Sequence, residues 1–201
     1  LIGDGTNMRY YTSAEKAPKK YQLMIVFEDD SFLAFTVSMY GSIYAFKGEF
    51  DNPYYQGSIH KLCPLDERFD KAYFISLIRN LKKDISAKAL LATEQRIPGL
   101  GNGVCQDILF NARISPKRKI STLSEEDIDR LFNTVKSTLE EMTCRGGRDT
   151  EKDLFGNSGG YKVVLSKNTY ADPCPVCGGA LVKEAYLGGA VYYCPHCQRE
   201  R

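Results

Sequence analysis

Apolar residues recur at every second position in Leu23, Ile25 and Phe27, and a second apolar run, Phe32 to Val37, follows the polar break Glu28-Asp29-Asp30-Ser31. A period of two places alternate side chains on one face of a strand, and the acidic break bounds a turn, so the pattern predicts an antiparallel hairpin. A third strand is expected around Ile43-Tyr44-Ala45-Phe46, after Gly41, and Asp51-Asn52-Pro53 then breaks the β pattern. Leu1-Ile2 reads as the end of a strand whose partners are absent, so the N-terminus is expected to be incomplete. From Asp66 the period becomes helical, with Phe69, Tyr73, Leu77 and Leu81 spaced by four, and Lys88 to Gln95 reads as another short helix. A sharper helix is expected to start after Asn102 and to run to about Ala112. Ser124-Glu125-Glu126-Asp127 resembles a capping box ahead of a long helix whose apolar face is Ile128, Leu131, Phe132, Val135, Leu139 and Met142, ended by Gly146-Gly147. Residues 153 to 161 read as a flexible loop, leading to a strand from Lys162 to Ser166.

The C-terminal segment carries the strongest chemical signal. Cys174-Pro175-Val176-Cys177 and Cys194-Pro195-His196-Cys197 are separated by sixteen residues. Each C-x2-C turn brings two thiolates onto one ion, and two such turns complete the tetrahedral shell that zinc prefers. A shell closed by four cysteines is structural, because it keeps no open position for substrate or water. Gly178-Gly179 and Gly188-Gly189 supply tight turns, and Ala180-Leu181-Val182 and Val191-Tyr192-Tyr193 read as the strands of a clamped hairpin. His196 is assigned to the surface, since Cys174, Cys177, Cys194 and Cys197 already fill the site. Disulfides or unrelated core cysteines are the competing reading.

Composition narrows the class. The 201 residues are 43% hydrophobic, enough for a real core, and the mixture of strand and helix patterns predicts an α+β fold. Of seven cysteines, Cys63, Cys105 and Cys144 stand apart from the two pairs, a usage that fits a reducing compartment. No apolar run approaches the ~20 residues of a membrane span, and no signal peptide opens the chain, so a cytoplasmic protein without a membrane partner is expected. The net charge is +2, with basic residues gathered at Lys117-Arg118-Lys119 and at Arg145-Gly146-Gly147-Arg148 and acids concentrated on the helix between them. Such a small balance neither demonstrates nor excludes a polyanion, because the local patch decides.

Ile97-Pro98-Gly99-Leu100-Gly101-Asn102 places two glycines and an asparagine immediately before a helix. Glycines permit close backbone approach, Asn102 is able to cap the helix, and free amides at a helix start attract an anion. A phosphate-binding turn and an ordinary helix-to-helix connection both fit these residues.

The run Gly99, Gly101, Asn102, Leu109, Phe110, Ala112, Ile114 and Pro116, followed by the four-cysteine segment, resembles the formamidopyrimidine-DNA glycosylase and endonuclease VIII family. That family combines a helix-two-turn-helix motif with a C-terminal finger in this order, so the resemblance covers residues 62 to 201 strongly and the preceding strands loosely. It implies a partial N-terminal β-sandwich over residues 1–61, a helix-two-turn-helix DNA-binding domain over 62–160 and a zinc finger over 161–201. It also implies that Asn102, with Gly101, Gly103 and the amides around them, holds a phosphate beside a lesion while the finger hairpin at Gly189 presses on the same backbone. Lys88 falls where the family often has a lysine, although a solvated lysine fits equally well, and Asp107 stands where relatives usually carry glutamate. The implied partner is damaged or abasic double-stranded DNA, bound by a monomer with one structural Zn²⁺ per chain.

The implied chemistry is that of a DNA glycosylase/AP lyase, nearer endonuclease VIII, which flips out the damaged base and attacks its sugar through an N-terminal proline assisted by glutamate. That proline-glutamate pair is not among these residues, so the chain is expected to be inactive alone. Gly189 stands where the family has an arginine, and Met39-Tyr40-Gly41 stands for the Arg-Phe-Gly element that fills the void behind a flipped base. The loop at 153–161 matches the family's lid over the lesion. Two other readings remain: a non-catalytic damaged-DNA binder, and a zinc-ribbon module that binds protein.

Overall fold

The computed structural model describes residues 1–3, 5–13, 17–38 and 41–199 of the chain as an α+β fold. Met39 and Tyr40 lie outside the described residues, as does the void-filling role considered for them. The order of elements is β1 (Thr6–Tyr11), β2 (Leu23–Val26), β3 (Phe32–Val37), α1 (Pro53–His60), α2 (Lys71–Arg79), α3 (Ala87–Ala92), α4 (Asn102–Asn111), a 3₁₀ turn (Ile120–Thr122), α5 (Glu125–Cys144), β4 (Val182–Tyr186) and β5 (Gly189–Tyr193).

The hairpin expected from the period of two is present as β2 and β3, in register Leu23 to Phe35 and Val26 to Phe32. Its turn is set by Asp29, whose carboxylate accepts from the Ser31 amide at 3.1 Å and hydroxyl at 2.5 Å, while Asp30 adopts φ 62°. The third strand is β1, which pairs antiparallel with β3 from Thr6–Val37 to Tyr11–Phe32, and not the 43–46 segment. There, Ile43 makes one bridge to Ile2 and the Tyr44 amide donates to the Leu1 carbonyl at 2.9 Å, so Leu1-Ile2 does have a partner. The rings of the 43–50 segment turn toward α1 instead of joining a ladder: Phe46 stacks on Phe50 at 4.6 Å and meets Tyr55 edge-on at 5.2 Å. Packing of aromatic rings outweighs the local β preference.

Asn52 and Pro53, read from the sequence only as a break, start α1. The Asn52 side chain accepts from the amides of Tyr54 and Tyr55, and Pro53 occupies the first helical position, where its missing N–H costs nothing. Asp70 and Ser86 cap α2 and α3 in the same way. The expected helix 88–95 ends early, at Ala92, because Glu94 and Gln95 both take left-handed backbone, φ 56° and 48°, and turn the chain toward the glycine loop. The capping box of α5 forms as expected: Asp127 N donates to Ser124 Oγ and Ser124 N to the Asp127 carboxylate.

These helices share one apolar core. Phe74, Ala87, Leu90, Cys105, Ile108, Ala112, Ile114, Leu131 and Val135 lose essentially all exposure, with Ile128, Phe132 and Leu139 packed at its margin. The expected face of α5 is therefore observed, whereas α2 centres on Phe74, and Tyr73, Leu77 and Leu81 flank it half-buried. No strand forms at 162–166. The amides of Val164 and Leu165 donate instead to the two oxygens of Asp107, at 3.1 and 2.8 Å. No helix of the described residues is long and apolar enough to cross a membrane.

Candidate DNA interface and metal centre

Asn102 is the first residue of α4 and not its cap; the cap position belongs to Gly101, which has no side chain to offer. The first-turn amides are thus left without a capping group at the positive end of a helix dipole. Asn102 instead reaches the finger: its Nδ2 donates to the Ala190 carbonyl at 3.0 Å, and its Oδ1 is buried without a partner. Four residues on, Gln106 Oε1 accepts from the Tyr192 amide at 2.6 Å. Four residues of helix advance about 6 Å and two of strand about 7 Å, so α4 and β5 run alongside each other and bond at matched intervals.

Gly189 lies against Asn102: a Cβ there would meet Asn102 Nδ2 at 3.3 Å. The turn before it uses Leu187 at φ 51° and Gly188 at φ 74°, the pair of positive values that fits a two-residue hairpin. Lys88, which the sequence left equally free to be solvated, is 2% exposed, and its Nζ donates to the Tyr186 carbonyl at 2.5 Å. Burial holds its ammonium below the usual lysine range. Asn102, Gly101, Gly103, Lys88 and Gly189, scattered over a hundred residues, therefore meet where the glycine loop faces the hairpin.

Four of the five basic residues in the two clusters pair with acids. Arg118 pairs with Asp127 at 2.6 Å and Lys117 with Glu184 at 2.7 Å, while Arg145 pairs with Glu141 and Arg148 with Glu151. Arg148 is 8% exposed and lies over Gly103, where a Cβ would come within 2.5 Å of Nη1. It borders a cleft of about 860 Å³ between the N-terminal sheet region and the helices, also lined by Gly41, Tyr54, Gly99, Gly101 and Glu151. The 153–161 segment also touches the N-terminal sheet, at β1. Its Leu154 carbonyl accepts from the Tyr10 amide at 2.9 Å, Phe155 packs edge-on against Tyr10 at 5.8 Å, and Asp153 accepts from the amides of Phe155 and Asn157.

Asp107 is fully buried, and burial raises its pKa although the Leu165 and Val164 amides oppose the shift. The same burial pushes Cys105 up to about 12, so this thiol is inert at neutral pH. Sequence reasoning noted Asp107 as a replacement for glutamate and missed its task of satisfying backbone amides that a strand would otherwise have paired.

The sulfurs of Cys174, Cys177, Cys194 and Cys197 all lie within 4.8 Å of one another. Cys174 and Cys197 are 3.8 Å apart and Cys177 and Cys194 3.5 Å, matching the edge of about 3.8 Å expected for a tetrahedron with ~2.3 Å zinc–sulfur bonds. Burial opposes ionisation of Cys174, but the Cys177 and Val176 amides and neighbouring thiols outweigh it and hold it at about 7. Burial and hydrogen bonds from Cys177, Cys194 and Cys174 push Cys197 up to about 12. Four sulfurs at these distances form a tetrahedral donor set that fits zinc, whose binding would displace the thiol protons. His196 is exposed and packs beside Gly179, outside the shell.

A helical unit whose glycine loop faces a four-cysteine hairpin defines a helix-two-turn-helix protein with a C-terminal finger. Residues 62–153 match the formamidopyrimidine-DNA glycosylase H2TH domain. The formamidopyrimidine-DNA glycosylase of Listeria monocytogenes is 30% identical over 200 residues, covering 95% of this chain and 71% of that protein. The Pelotomaculum thermopropionicum enzyme of the same name is 33% identical over 139 residues, 68% of this chain and 50% of its own length. The chain belongs to the formamidopyrimidine-DNA glycosylase family. Its fold matches the MutM (Fpg) protein of Thermus thermophilus with TM-score 0.79 at 24% identity, covering 98% of this chain and 77% of that one. It also matches Lactococcus lactis Fpg in complex with DNA containing an abasic site, with TM-score 0.76 at 22% identity, covering 98% and 73%.

Proposed function

We propose that this chain is the DNA-binding and zinc-finger part of a base-excision-repair DNA glycosylase/AP lyase that grips damaged or abasic duplex DNA. It acts as a cytoplasmic monomer, nucleoid-associated if bacterial, divided into a sheet region (1–61), a helix-two-turn-helix domain (62–160) and a finger (161–201). The observation that carries this reading is the uncapped start of α4 facing the hairpin at Gly189, with Asn102 bridging the two.

Each part has a role that follows from its chemistry. The amides at the start of α4 offer donors, and the helix dipole favours negative charge there, so a backbone phosphate is the natural occupant. The Asn102 amide group carries a second N–H beyond the one given to Ala190, available to the same phosphate. Lys88 and Asn102 hold the hairpin at the distance where its backbone contacts the neighbouring phosphate. Zinc, held by Cys174, Cys177, Cys194 and Cys197, supplies the cross-link that keeps β4 and β5 in place. Phosphate contacts position a duplex without reading bases, which suits inspection of any sequence for damage. None of the eight prolines precedes a glutamate, so these residues supply grip and not the nucleophile.

Asn102→Ala tests this reading. Affinity for a duplex carrying an abasic-site analogue is expected to fall by about 1–3 kcal/mol, the range for a hydrogen bond to a charged group, and equally for unrelated sequences. Unchanged affinity in a folded variant removes Asn102 from the interface. Borohydride trapping on an abasic duplex is expected to yield no adduct with this chain, and an adduct through an internal lysine overturns the assignment to grip alone. Gly189 specifically favours a second reading, a damaged-DNA binder without lyase chemistry, because the hairpin there offers no cation.

A further inference from the structure

We infer that Arg148 is the cation of the α4 anion site and that Glu151 is its resident counter-ion, displaced when a DNA phosphate arrives. This rests on the reading of the α4 start as a phosphate site. The hairpin supplies no charge at Gly189, so any strong cation must come from elsewhere.

Arg148 reaches the site because Gly103 lacks a side chain. A Cβ at 103 would lie 2.5 Å from Nη1 and 3.0 Å from both Cζ and Nη2, so the guanidinium rests directly on the first turn of α4. A positive group there faces the positive end of the helix dipole, an arrangement that is unfavourable until an anion is shared between them. The guanidinium is nevertheless kept there, 8% exposed, with its Nε buried and unpartnered, on the wall of the cleft beside Gly101 and Gly103.

The anion present is Glu151, whose carboxylate accepts from Nη1 at 2.7 Å while its side chain stays 63% exposed. An exposed carboxylate held through one such bond is a weakly held partner. A phosphate offers more oxygens to the same planar fork and also meets the free amides of α4, so it is the stronger ligand for both. Asp107 acts on Arg148 electrostatically as well, but its oxygens accept from the Val164 and Leu165 amides. Glu151 opens the segment that runs to Leu154 and Phe155 against Tyr10, so phosphate arrival at Arg148 releases one anchor of that loop.

The test measures affinity for an abasic-analogue duplex as a function of salt. Arg148→Ala is expected to weaken binding about tenfold or more and to lower the slope of log K against log salt by about 0.9, the loss of one phosphate contact. Glu151→Gln, at an exposed position, is expected to tighten binding several-fold, and that gain is expected to vanish in the Arg148→Ala background. Should Arg148→Ala fail to fold, the Glu151→Gln result alone decides. An unchanged slope in folded Arg148→Ala, a Glu151→Gln gain that persists without Arg148, or no gain from Glu151→Gln each overturns the proposal. If the unsubstituted chain binds no duplex at any salt concentration, the phosphate-site reading beneath it fails instead.

Discussion

In the helical domain Phe74, Leu90, Ile108 and Leu131 lose all solvent exposure against one another, whereas the finger gathers around its cysteines a cluster of Phe110, Leu165 and Tyr192. Phe110 belongs to α4, so a large apolar group of the finger's cluster comes from the neighbouring helices. Helices of ten to twenty residues present enough apolar stripe to bury one another, while two five-residue strands do not. The finger therefore leans on the α4 face and, in the proposed reading, on a metal ion, whereas the helical core needs neither. The proposed binding surface lies at the junction of these two regions, where Asn102 and Gln106 bond β5.

The sharpest break of this comparison is removal of the metal. Structural zinc in finger-sized units contributes about 10–16 kcal/mol of binding free energy at neutral pH, far above anything a hairpin of this size holds by packing. Chelation, or Cys177→Ser, is expected to abolish hydrogen-exchange protection in 174–198 while α2 to α5 keep theirs. One zinc per chain is expected on metal analysis, and an ordered metal-free finger would contradict the contrast outright.

The reverse experiment places the lesion in the helical core. Phe74→Ala is expected to cost about 3–5 kcal/mol in denaturant unfolding, the range for a buried aromatic truncated to alanine, and to leave the zinc content unchanged. Simultaneous loss of zinc would show that the two regions fold as one unit.

A smaller effect probes the polar frame of the helical domain. The Asp127 carboxylate accepts from the Ser124 amide in the α5 capping box and pairs with Arg118 and Arg130, and its removal is expected to cost up to about 3 kcal/mol, the low end for a buried ion pair losing one partner. Burial opposes its ionisation, but the Ser124 amide, Arg130 and Arg118 outweigh burial and hold it below the usual carboxylate range. Its contribution is then present above the unfolded value of about 3.9 and lost as pH falls through the lower folded value. The stability gap between wild type and Asp127→Ala is expected to narrow below about pH 4, and a gap that is constant down to pH 2 would remove the ion pairs from the account.

Sequence reasoning was strongest where one local rule decided. The paired C-x2-C turns, the capping box at Ser124 and the apolar face of α5 all depend on residues within a few positions of one another, and each is observed. It was weakest where distant groups competed for the same backbone. Ile43–Phe46 reads as a strand, yet its rings pack toward Tyr55 and Phe50, and β1 takes the vacant edge of β3. Val163-Val164-Leu165 reads as a strand, yet Asp107, 57 residues away, accepts from the Val164 amide. The α1 start was legible in Asn52-Pro53 as an N-cap followed by a first-turn proline, but those residues also mark turns, so the local signal was divided.

The candidate interface shows the same division. Glycines before a helix, an asparagine at its start and a hairpin with paired glycines at its tip are properties of the sequence, because each follows from one residue's conformational freedom or chemistry. That Asn102 bonds Ala190 instead of capping α4, that Lys88 is buried under Tyr186, and that Arg148 rests on Gly103 beside Glu151 were decided by the tertiary structure alone. Hydrogen-bond and charge partners are chosen by proximity in space, and only the folded chain determines which of many equivalent donors and acceptors come within 3 Å.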